Sequence, residues 1–250
     1  FVRRFKEPDI PLGVLVSDVD WHLYGWTGYD WNRDLFPDPA RFVDFLKQNQ
    51  VKLSFNDHPG VLSKEDSHYQ AYVDQANPEL TDTGARVNHA VKAQSEAFFN
   101  VVHHDLLDQG MDFTWIDGCA AGMDGLNCFL WTNRCYYLDT QQHTGKRGLI
   151  FSRYGGLGTH RYPLGFSGDT YSEWGVLEYE VPFTAKAGNV GYAYWSHDIG
   201  GFMGNKIDTE LYLRWVQFGV FSPVLRLHSN HGIREPWEYG NKALRITRDY

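Results

Sequence analysis

Short apolar runs alternate with longer amphipathic stretches along this chain, and this alternation restricts its fold more than any other feature. Most of the runs are almost continuously apolar, as in strands of a parallel sheet that helices cover on both faces. Strands that alternate with helical patterns indicate βα units. The candidate strands are residues 13–19, 51–55, 111–116, 148–152, 164–167 and 190–195.

Helical patterns lie between the candidate strands. The stretch after Asp38 has an N-cap residue, Pro39 at the first helical position and an apolar face. Residues 91–109 are amphipathic and stop at Gly110, a typical C-terminal signal. Residues 59–83 contain few apolar positions and are predicted to form a loop. Two further helices are predicted, at residues 126–140 and 209–221.

This order of elements predicts an α/β protein, and we favour a (β/α)8 TIM barrel. A doubly wound parallel sheet is the structural alternative, but it collects functional residues at one switch point, whereas here polar residues follow nearly every predicted strand. The candidate strands are fewer than the eight of a closed barrel. The chain also begins and ends within predicted helices, at residues 1–6 and 242–250. We therefore expect residues 1–250 to form one catalytic barrel core, truncated at both ends, with the first and last strands outside the chain.

Charge and composition argue against several classes of function. The formal net charge is -8 and no cluster of Lys and Arg compensates it, so we expect no nucleic-acid partner. No apolar run approaches the roughly 20 residues of a membrane span, so we expect no membrane partner. The 11 His residues show no metal-binding spacing, and we expect no metal and no cofactor. The aromatic share of 16% suits both sugar binding and an ordinary large core.

The three cysteines are Cys119, Cys128 and Cys135, and their spacing matches neither a zinc site nor a disulfide framework. We therefore expect buried free thiols, which are typical of a reducing compartment. The sequence also contains no glycosylation sequon. By itself it assigns no compartment.

Two aspartates, Asp117 and Asp169, each follow a candidate strand. Barrels of this class carry their chemistry at the carboxyl ends of the strands. Two carboxylates from different strands are the minimum equipment for cleaving a glycosidic bond. A single Asp at such a position is more often a helix cap or a turn residue, and position alone leaves both interpretations open. Further polar residues after predicted strands are Asp18, Asp20, Asn56, Asp57, His58, Arg153, His197 and Asp198.

Longer motifs that contain these residues follow one another along the chain. They are Asp18-Val-Asp20-Trp-His22, Gly25-Trp-Thr-Gly-Tyr-Asp-Trp-Asn-Arg33, Leu35-Phe-Pro-Asp-Pro39, Trp115-Ile-Asp117, Ile150-Phe-Ser-Arg153, Gly168-Asp169 with Trp174, His197-Asp198-Ile-Gly-Gly-Phe202, Arg214-Trp-Val-Gln-Phe-Gly219 and Arg226-Leu-His228. In this order they resemble the signature of glycoside hydrolase family 31 over nearly the whole chain. The chain departs from the common pattern at Gly118-Cys119-Ala120 and at Phe166-Ser-Gly168, both beside the two aspartates.

The resemblance implies a retaining α-glycoside hydrolase that works by double displacement. Asp117 resembles the nucleophile and Asp169 the acid/base, so Asp117 must be ionised and Asp169 protonated when the substrate binds. The remaining resemblances concern substrate binding. Asp18, Arg153 and His228 resemble ligands of sugar hydroxyls, Trp115, Trp195 and Phe202 resemble aromatic walls, and Asp198 lies at the same rim.

The family signature does not specify the sugar. An α-glucosidase-like activity on an oligosaccharide or glycoside is the first expectation, and flanking β-domains of a parent chain are the expected partners. Within enzymes, the alternatives are an α-galactosidase, an α-N-acetylgalactosaminidase, or transglycosylase or lyase chemistry on the same scaffold. The alternative from another class is a catalytically silent carbohydrate-binding homologue, which the presence of both Asp117 and Asp169 disfavours.

Overall fold

The computed structural model describes residues 1–119, 125–153, 155–162 and 164–250. A π-helical turn, Phe99–His103, joins its fourth and fifth helices. The strands are β1 (Val14–Ser17), β2 (Lys52–Asp57), β3 (Val61–Ser63), β4 (Gly84–Arg86), β5 (Phe113–Ile116), β6 (Ile150–Arg153), β7 (Leu164–Phe166), β8 (Trp195–Asp198) and β9 (Val224–Arg226). The helices are α1 (Val2–Lys6), α2 (Pro39–Gln48), α3 (Tyr69–Ala76), α4 (Lys92–Phe98), α5 (His104–Gln109), α6 (Cys128–Thr144), α7 (Trp174–Asn189), α8 (Thr209–Val220) and α9 (Asn241–Asp249).

The chain divides into two compact units, a central unit of Gly13–Pro163 and a terminal unit of Phe1–Leu12 with Leu164–Tyr250. In the central unit β1, β2, β5 and β6 pair in that order, and every pair is parallel. Helix α2 packs against β2, and α6 packs against β5 and β6. Because helices cover the strands, side chains such as Phe55, Ile116 and Ile150 are buried.

In the terminal unit β7, β8 and β9 pair in that order, again in parallel. Its core gathers around α8, whose Tyr212, Trp215 and Val216 are fully buried. The ring of Tyr212 stacks on that of Tyr239, with centroids 3.8 Å apart. Burial of these large side chains supplies most of the free energy that holds the unit together.

Most of the predicted helices are confirmed. Helix α2 begins at Pro39, and the Asp38 carboxylate caps it by accepting the Arg41 N–H at 3.0 Å. The predicted helix 91–109 comprises α4, the π-helical turn and α5, and it ends at Gly110 with φ +118°. No helix among the described residues is long and apolar enough to cross a membrane.

The strand predictions fail where the strands are very short or where a helix extends further than expected. Residues 59–83, expected to form a loop, contain β3 and α3, and β3 pairs with β4 in an antiparallel hairpin. Strand β9 was not predicted either, because three residues carry too little periodicity to identify a strand. The predicted strand 190–195 begins only at Trp195, since α7 extends to Asn189 despite Pro182 in its middle.

The expectation of free thiols is wrong for two of the three cysteines. Cys119 and Cys128 form a disulfide, with Cα atoms 6.1 Å apart, and Cys135 is free. Cys119 lies just after β5 and Cys128 is the first residue of α6, so the fold places them together. Sequence spacing does not show this, because a disulfide depends on the distance between the two Cα atoms in the folded chain.

A carboxylate is buried behind the end of β2. Asp57 accepts hydrogen bonds from the Tyr29 hydroxyl at 2.8 Å and from the Tyr136 hydroxyl at 2.7 Å. Burial raises the pKa of Asp57 to about 6, although both tyrosine hydrogen bonds act in the opposite direction. A carboxyl group whose pKa is higher in the folded state stabilises the fold at low pH and loses that contribution as pH rises.

In the intact protein that carries this chain, the Asp57→Asn substitution is expected to change how the free energy of unfolding depends on pH. The wild type should lose about 2.5 kcal/mol of unfolding free energy relative to the variant between pH 4 and pH 7, because the pKa rises from 3.8 to about 6 on folding. Urea unfolding across this range measures the difference. Asp44→Asn, at an exposed position, is the control for the loss of one negative charge. The prediction is contradicted if the unfolding free energies of Asp57→Asn and the wild type differ by the same amount at every pH.

The disulfide is expected to be detectable by peptide mapping. Digestion without reductant should yield a peptide pair joined through Cys119 and Cys128, and alkylation before digestion should label Cys135 alone among the three. Removing the bond with Cys128→Ser should lower the unfolding free energy by about 2–3 kcal/mol, since the closed loop is short. Cys135→Ser is the control that keeps the bond, and alkylation of Cys119 in the unreduced protein would contradict the pairing.

Candidate active site

The carboxyl ends of four parallel strands bring polar residues of the central unit together around Asp117, the predicted nucleophile. The register pairs Ser17 with Phe55, Asp57 with Ile116, and Ile116 with Ser152. Parallel strands in this register end at the same edge of the sheet. The site residues at this edge are Asp18, Asn56, Asp117 and Arg153.

Asp117 is held from two sides at the end of β5. On the β6 side, Arg153 places its Nη2 2.7 Å from Asp117 Oδ1 and donates from Nε to the Asp117 carbonyl at 2.6 Å. On the β2 side, the Asp117 N–H donates to the Asp57 carbonyl at 3.0 Å. The ion pair with a guanidinium, together with the two backbone hydrogen bonds, fixes both the position and the orientation of this carboxylate.

Asn56 lies between Asp117 and Asp18. Its Nδ2 donates to Asp18 Oδ1 at 3.0 Å and to Asp117 Oδ2 at 3.2 Å. Asp18 also accepts the Val19 N–H at 2.8 Å and so caps the short 3₁₀ helix Val19–Trp21. The cap interpretation is therefore correct for Asp18, but its carboxylate is exposed and also belongs to the group around Asp117.

His58 forms the rim of the same group. Its Nε2 lies 3.7 Å from Asp117 Oδ2, and its ring stacks on Trp26 with centroids 4.7 Å apart and an angle of 15°. A Cβ on Gly118 would overlap the His58 ring. Glycine directly after the candidate nucleophile therefore makes room for His58, which explains one of the departures from the family pattern.

Trp115 lies on the same face of β5 as Asp117, since alternate residues of a strand share a face. Its ring is 5.7 Å from that of Phe151 on β6, which in turn shares a face with Arg153. The neighbouring Thr114 points the other way and contacts His103 of the helical layer at 3.0 Å. Trp115, a predicted aromatic wall, thus lies on the same face of the sheet as Asp117.

The second predicted catalytic residue, Asp169, lies in the terminal unit in the turn after β7. Gly168 has φ +84°, and the Thr170 carbonyl accepts the N–H groups of Phe202 at 2.9 Å and Met203 at 2.8 Å. Asp169 is exposed. It does not cap α7, because that helix begins at Trp174 with Glu173 at the N-cap position. The alternative interpretation of Asp169 as a helix cap is therefore wrong.

The hydrogen bond from the Phe202 N–H to the Thr170 carbonyl holds Phe202, a predicted aromatic wall, close to the turn that contains Asp169. His228, a predicted ligand of a sugar hydroxyl, contacts Phe202. Phe202 stacks on His228 with centroids 5.1 Å apart. Asp198, at the end of β8, is buried and accepts Arg226 Nη1 at 3.0 Å. The terminal unit therefore assembles Asp169, Phe202 and His228 in one loop region, with the Asp198–Arg226 pair at the strand ends.

Trp195, a predicted aromatic wall, lies in β8 beside helix α7. Its ring is 2% exposed and packs against Tyr192, at 4.9 Å, and against Phe183 of α7. His197 shares that face of β8 and lies 2.9 Å from Thr184 of the same helix. Trp195 therefore packs on the face of β8 opposite to Asp198, because the strand alternates, and its role as an aromatic wall stays a prediction.

One group among the described residues has the composition of a metal site, namely Asp30, Asp66 and His68. Its oxygens are already bonded within the chain. Asp66 accepts the side chain of His68 at 2.7 Å and the N–H of Tyr29, and Asp30 accepts the Ser67 hydroxyl at 2.6 Å. We interpret the group as a link that fixes the loop before α3.

Sequence reasoning noted Asn56 and His58 as polar residues after a strand but did not assign them to the site. Their position directly at the end of β2 was the available signal. The sequence left Trp26 open between a sugar-binding platform and ordinary packing, and in the structure its ring stacks on His58.

The contact between Gly118 and His58 predicts a non-additive pair of substitutions. Gly118→Ala alone should destabilise the intact protein by about 1–3 kcal/mol, because the added methyl must displace the His58 ring. In a His58→Ala background the same substitution should cost much less. Denaturant unfolding of the wild type, the two single variants and the double variant gives the double-mutant cycle. Equal costs in both backgrounds would show that His58 does not occupy the space next to Gly118.

Known proteins resemble the chain over its full length. The family model for the TIM-barrel domain of glycosyl hydrolases family 31 matches residues 1–250. An alpha-xylosidase of Emericella nidulans is 28% identical, with 100% of this chain and 35% of the relative covered. An alpha-glucosidase 2 of Bacillus thermoamyloliquefaciens is also 28% identical, with 99% and 36% covered. The chain therefore spans about a third of the length of these relatives.

Solved structures give the same fold. A family 31 alpha-glucosidase from Bacteroides thetaiotaomicron is similar with a TM-score of 0.82 at 23% identity, over 99% of this chain and 46% of that one. A family 31 dextranase from Flavobacterium johnsoniae, complexed with glucose, has a TM-score of 0.80 at 22% identity, over 99% and 36%. These likenesses and the family match confirm the predicted TIM-barrel fold class over the doubly wound alternative. The chain belongs to glycosyl hydrolases family 31, enzymes that hydrolyse O-glycosyl bonds, and it corresponds to their TIM-barrel domain.

Proposed function

We propose that the protein carrying this chain is a retaining α-glycoside hydrolase that works by double displacement. The single observation that carries the proposal is the Asp117 carboxylate, fixed at the carboxyl end of β5 by Arg153 and Asn56. A nucleophilic carboxylate must be ionised and oriented before the substrate arrives, and a guanidinium together with amide donors achieves both. Family membership supplies the reaction class.

Asp117 would attack the anomeric carbon while Asp169 protonates the departing glycosidic oxygen. Asp169, now ionised, would then take a proton from water, and that water would release the sugar from Asp117. The two inversions at the anomeric carbon leave its configuration unchanged. This mechanism requires about 5–5.5 Å between the two carboxyl groups, against about 6.5–9.5 Å for an inverting enzyme.

The other site residues would bind the sugar next to Asp117. The exposed Asp18 can accept hydrogen bonds from hydroxyls, and Arg153 has enough N–H donors to hold Asp117 and a hydroxyl together. His228 and Asp198 are proposed at the same rim. Trp115 and Phe202 would contact the apolar faces of the ring.

The substrate is proposed to be an oligosaccharide or glycoside with an α-linked glucose or xylose. The relatives support this class equally, since an alpha-xylosidase and an alpha-glucosidase are both 28% identical to the chain. An α-galactosidase or α-N-acetylgalactosaminidase, or a transglycosylase that uses a sugar acceptor instead of water, is the alternative on the same residues. We also propose that residues 1–250 act as one catalytic barrel core with flanking β-domains.

Substitution of the two aspartates is expected to separate their roles. Asp117→Asn should lower kcat/KM by at least about 10³-fold for every α-glycoside, because the attacking group is lost. Asp169→Asn should lower it about 10²–10⁴-fold for poor leaving groups and far less for 4-nitrophenyl glycosides, which need little protonation. The measurement is initial-rate hydrolysis of glucosides, xylosides, galactosides and N-acetylgalactosaminides by the intact protein.

Asp112→Asn is the matched control, because Asp112 stands at the opposite end of β5 and binds Lys52 there. It should keep wild-type rates. Proton NMR of the first product should show the α-anomer, as retention requires. Binding of these glycosides without turnover of any of them would favour the silent carbohydrate-binding homologue, and a β-anomer as first product would exclude the double displacement.

A further inference from the structure

We propose that Asn56 is a positioning residue that couples the nucleophile Asp117 to the sugar-binding Asp18. Its amide would set the distance between the two carboxylates and hold both in the ionised, attack-ready arrangement. The role rests on the proposed function, because it concerns the same site and assigns the nucleophile to Asp117.

The geometry of the amide supports a bridge between two like charges. One nitrogen with two N–H groups reaches Asp18 Oδ1 at 3.0 Å and Asp117 Oδ2 at 3.2 Å. Two carboxylates that approach each other this closely repel, and one of them tends to take up a proton. Amide N–H donors directed at both oxygens offset the repulsion without adding a charge of their own.

The amide has little freedom to move. Asn56 is 0% exposed and lies at the end of β2, where its register partner is Trp115. Its backbone carbonyl accepts the indole N–H of Trp21 at 2.9 Å, and that indole stacks on Phe55 with centroids 4.5 Å apart. A side chain held by its strand and by a buried tryptophan is preorganised for the contacts that it makes.

The charged groups around Asp117 explain why an amide is needed at this position. Arg153 approaches Oδ1 from β6, whereas among the described residues Asn56 of β2 and His58, directly after β2, lie near Oδ2. Asp18 approaches Asn56 from the end of β1. Arg153 therefore engages one oxygen of the nucleophile, and the Asn56 amide is the group that links the other oxygen to Asp18.

Asn56→Ala and Asn56→Asp are expected to impair catalysis in different ways in the intact protein. The alanine variant should lower kcat/KM about 10²-fold, mainly through kcat, because the nucleophile loses its alignment. The aspartate variant replaces donors by a third carboxylate, so the acidic limb of its pH–rate profile should move to higher pH. Asn133, equally buried but on α6, supplies the control variants Asn133→Ala and Asn133→Asp, which should leave the profile in place.

A second measurement tests the bridge without relying on turnover. Carboxyl ¹³C NMR of aspartate-labelled protein, with the signals assigned through Asp117→Asn and Asp18→Asn, follows the ionisation of both groups. In Asn56→Ala both titrations should move to higher pH by at least about half a unit, because the carboxylates lose their shared donor. Unchanged titrations of Asp18 and Asp117 would overturn the proposal, as would a pH–rate profile that Asn56→Asp leaves in place. If the wild type cleaves no glycoside, the proposed function fails while the NMR titration still decides the role of Asn56.

Discussion

The parallel pairing of β1, β2, β5 and β6 is the constraint on which the candidate site depends. Because all four strands run in the same direction, the residues that follow them emerge at one edge of the sheet. Asp18, Asn56, Asp117 and Arg153 come from distant parts of the sequence, and each contacts the next in that order through hydrogen bonds or an ion pair. A shift of one residue in any pairing would turn these side chains towards the helices.

The resulting group combines two carboxylates with a single guanidinium and a neutral amide. Two carboxylates, Asp18 and Asp117, are served by one guanidinium and one amide, and His58 stands at the rim beside Trp26. The small size of Gly118 is part of this arrangement, since a larger residue would displace His58. The departure from the common family pattern at Gly118 thus has a steric explanation at the site itself.

A second layer of polar groups lies behind the site and holds the strand ends. Asp57 points away from Asp117 and is fixed by Tyr29 and Tyr136, while its own carbonyl accepts the Asp117 N–H. Burial of a carboxyl group is costly at neutral pH, as its pKa of about 6 indicates. The cost is compatible with folding because two hydroxyls satisfy the oxygens, and the arrangement ties β2 to α6 directly behind the nucleophile.

The sequence by itself determined the α/β class, the main helices and the identity of the candidate catalytic aspartates, because strand and helix periodicity and ordered motifs are local properties. It missed β9 and the β3–β4 hairpin, whose three-residue strands carry no usable period. It was wrong about the pairing of Cys119 with Cys128, since disulfide partners depend on the path of the chain in space. Only the tertiary structure placed Asn56 between Asp18 and Asp117, because hydrogen bonds between strands distant in sequence arise from the register of the sheet.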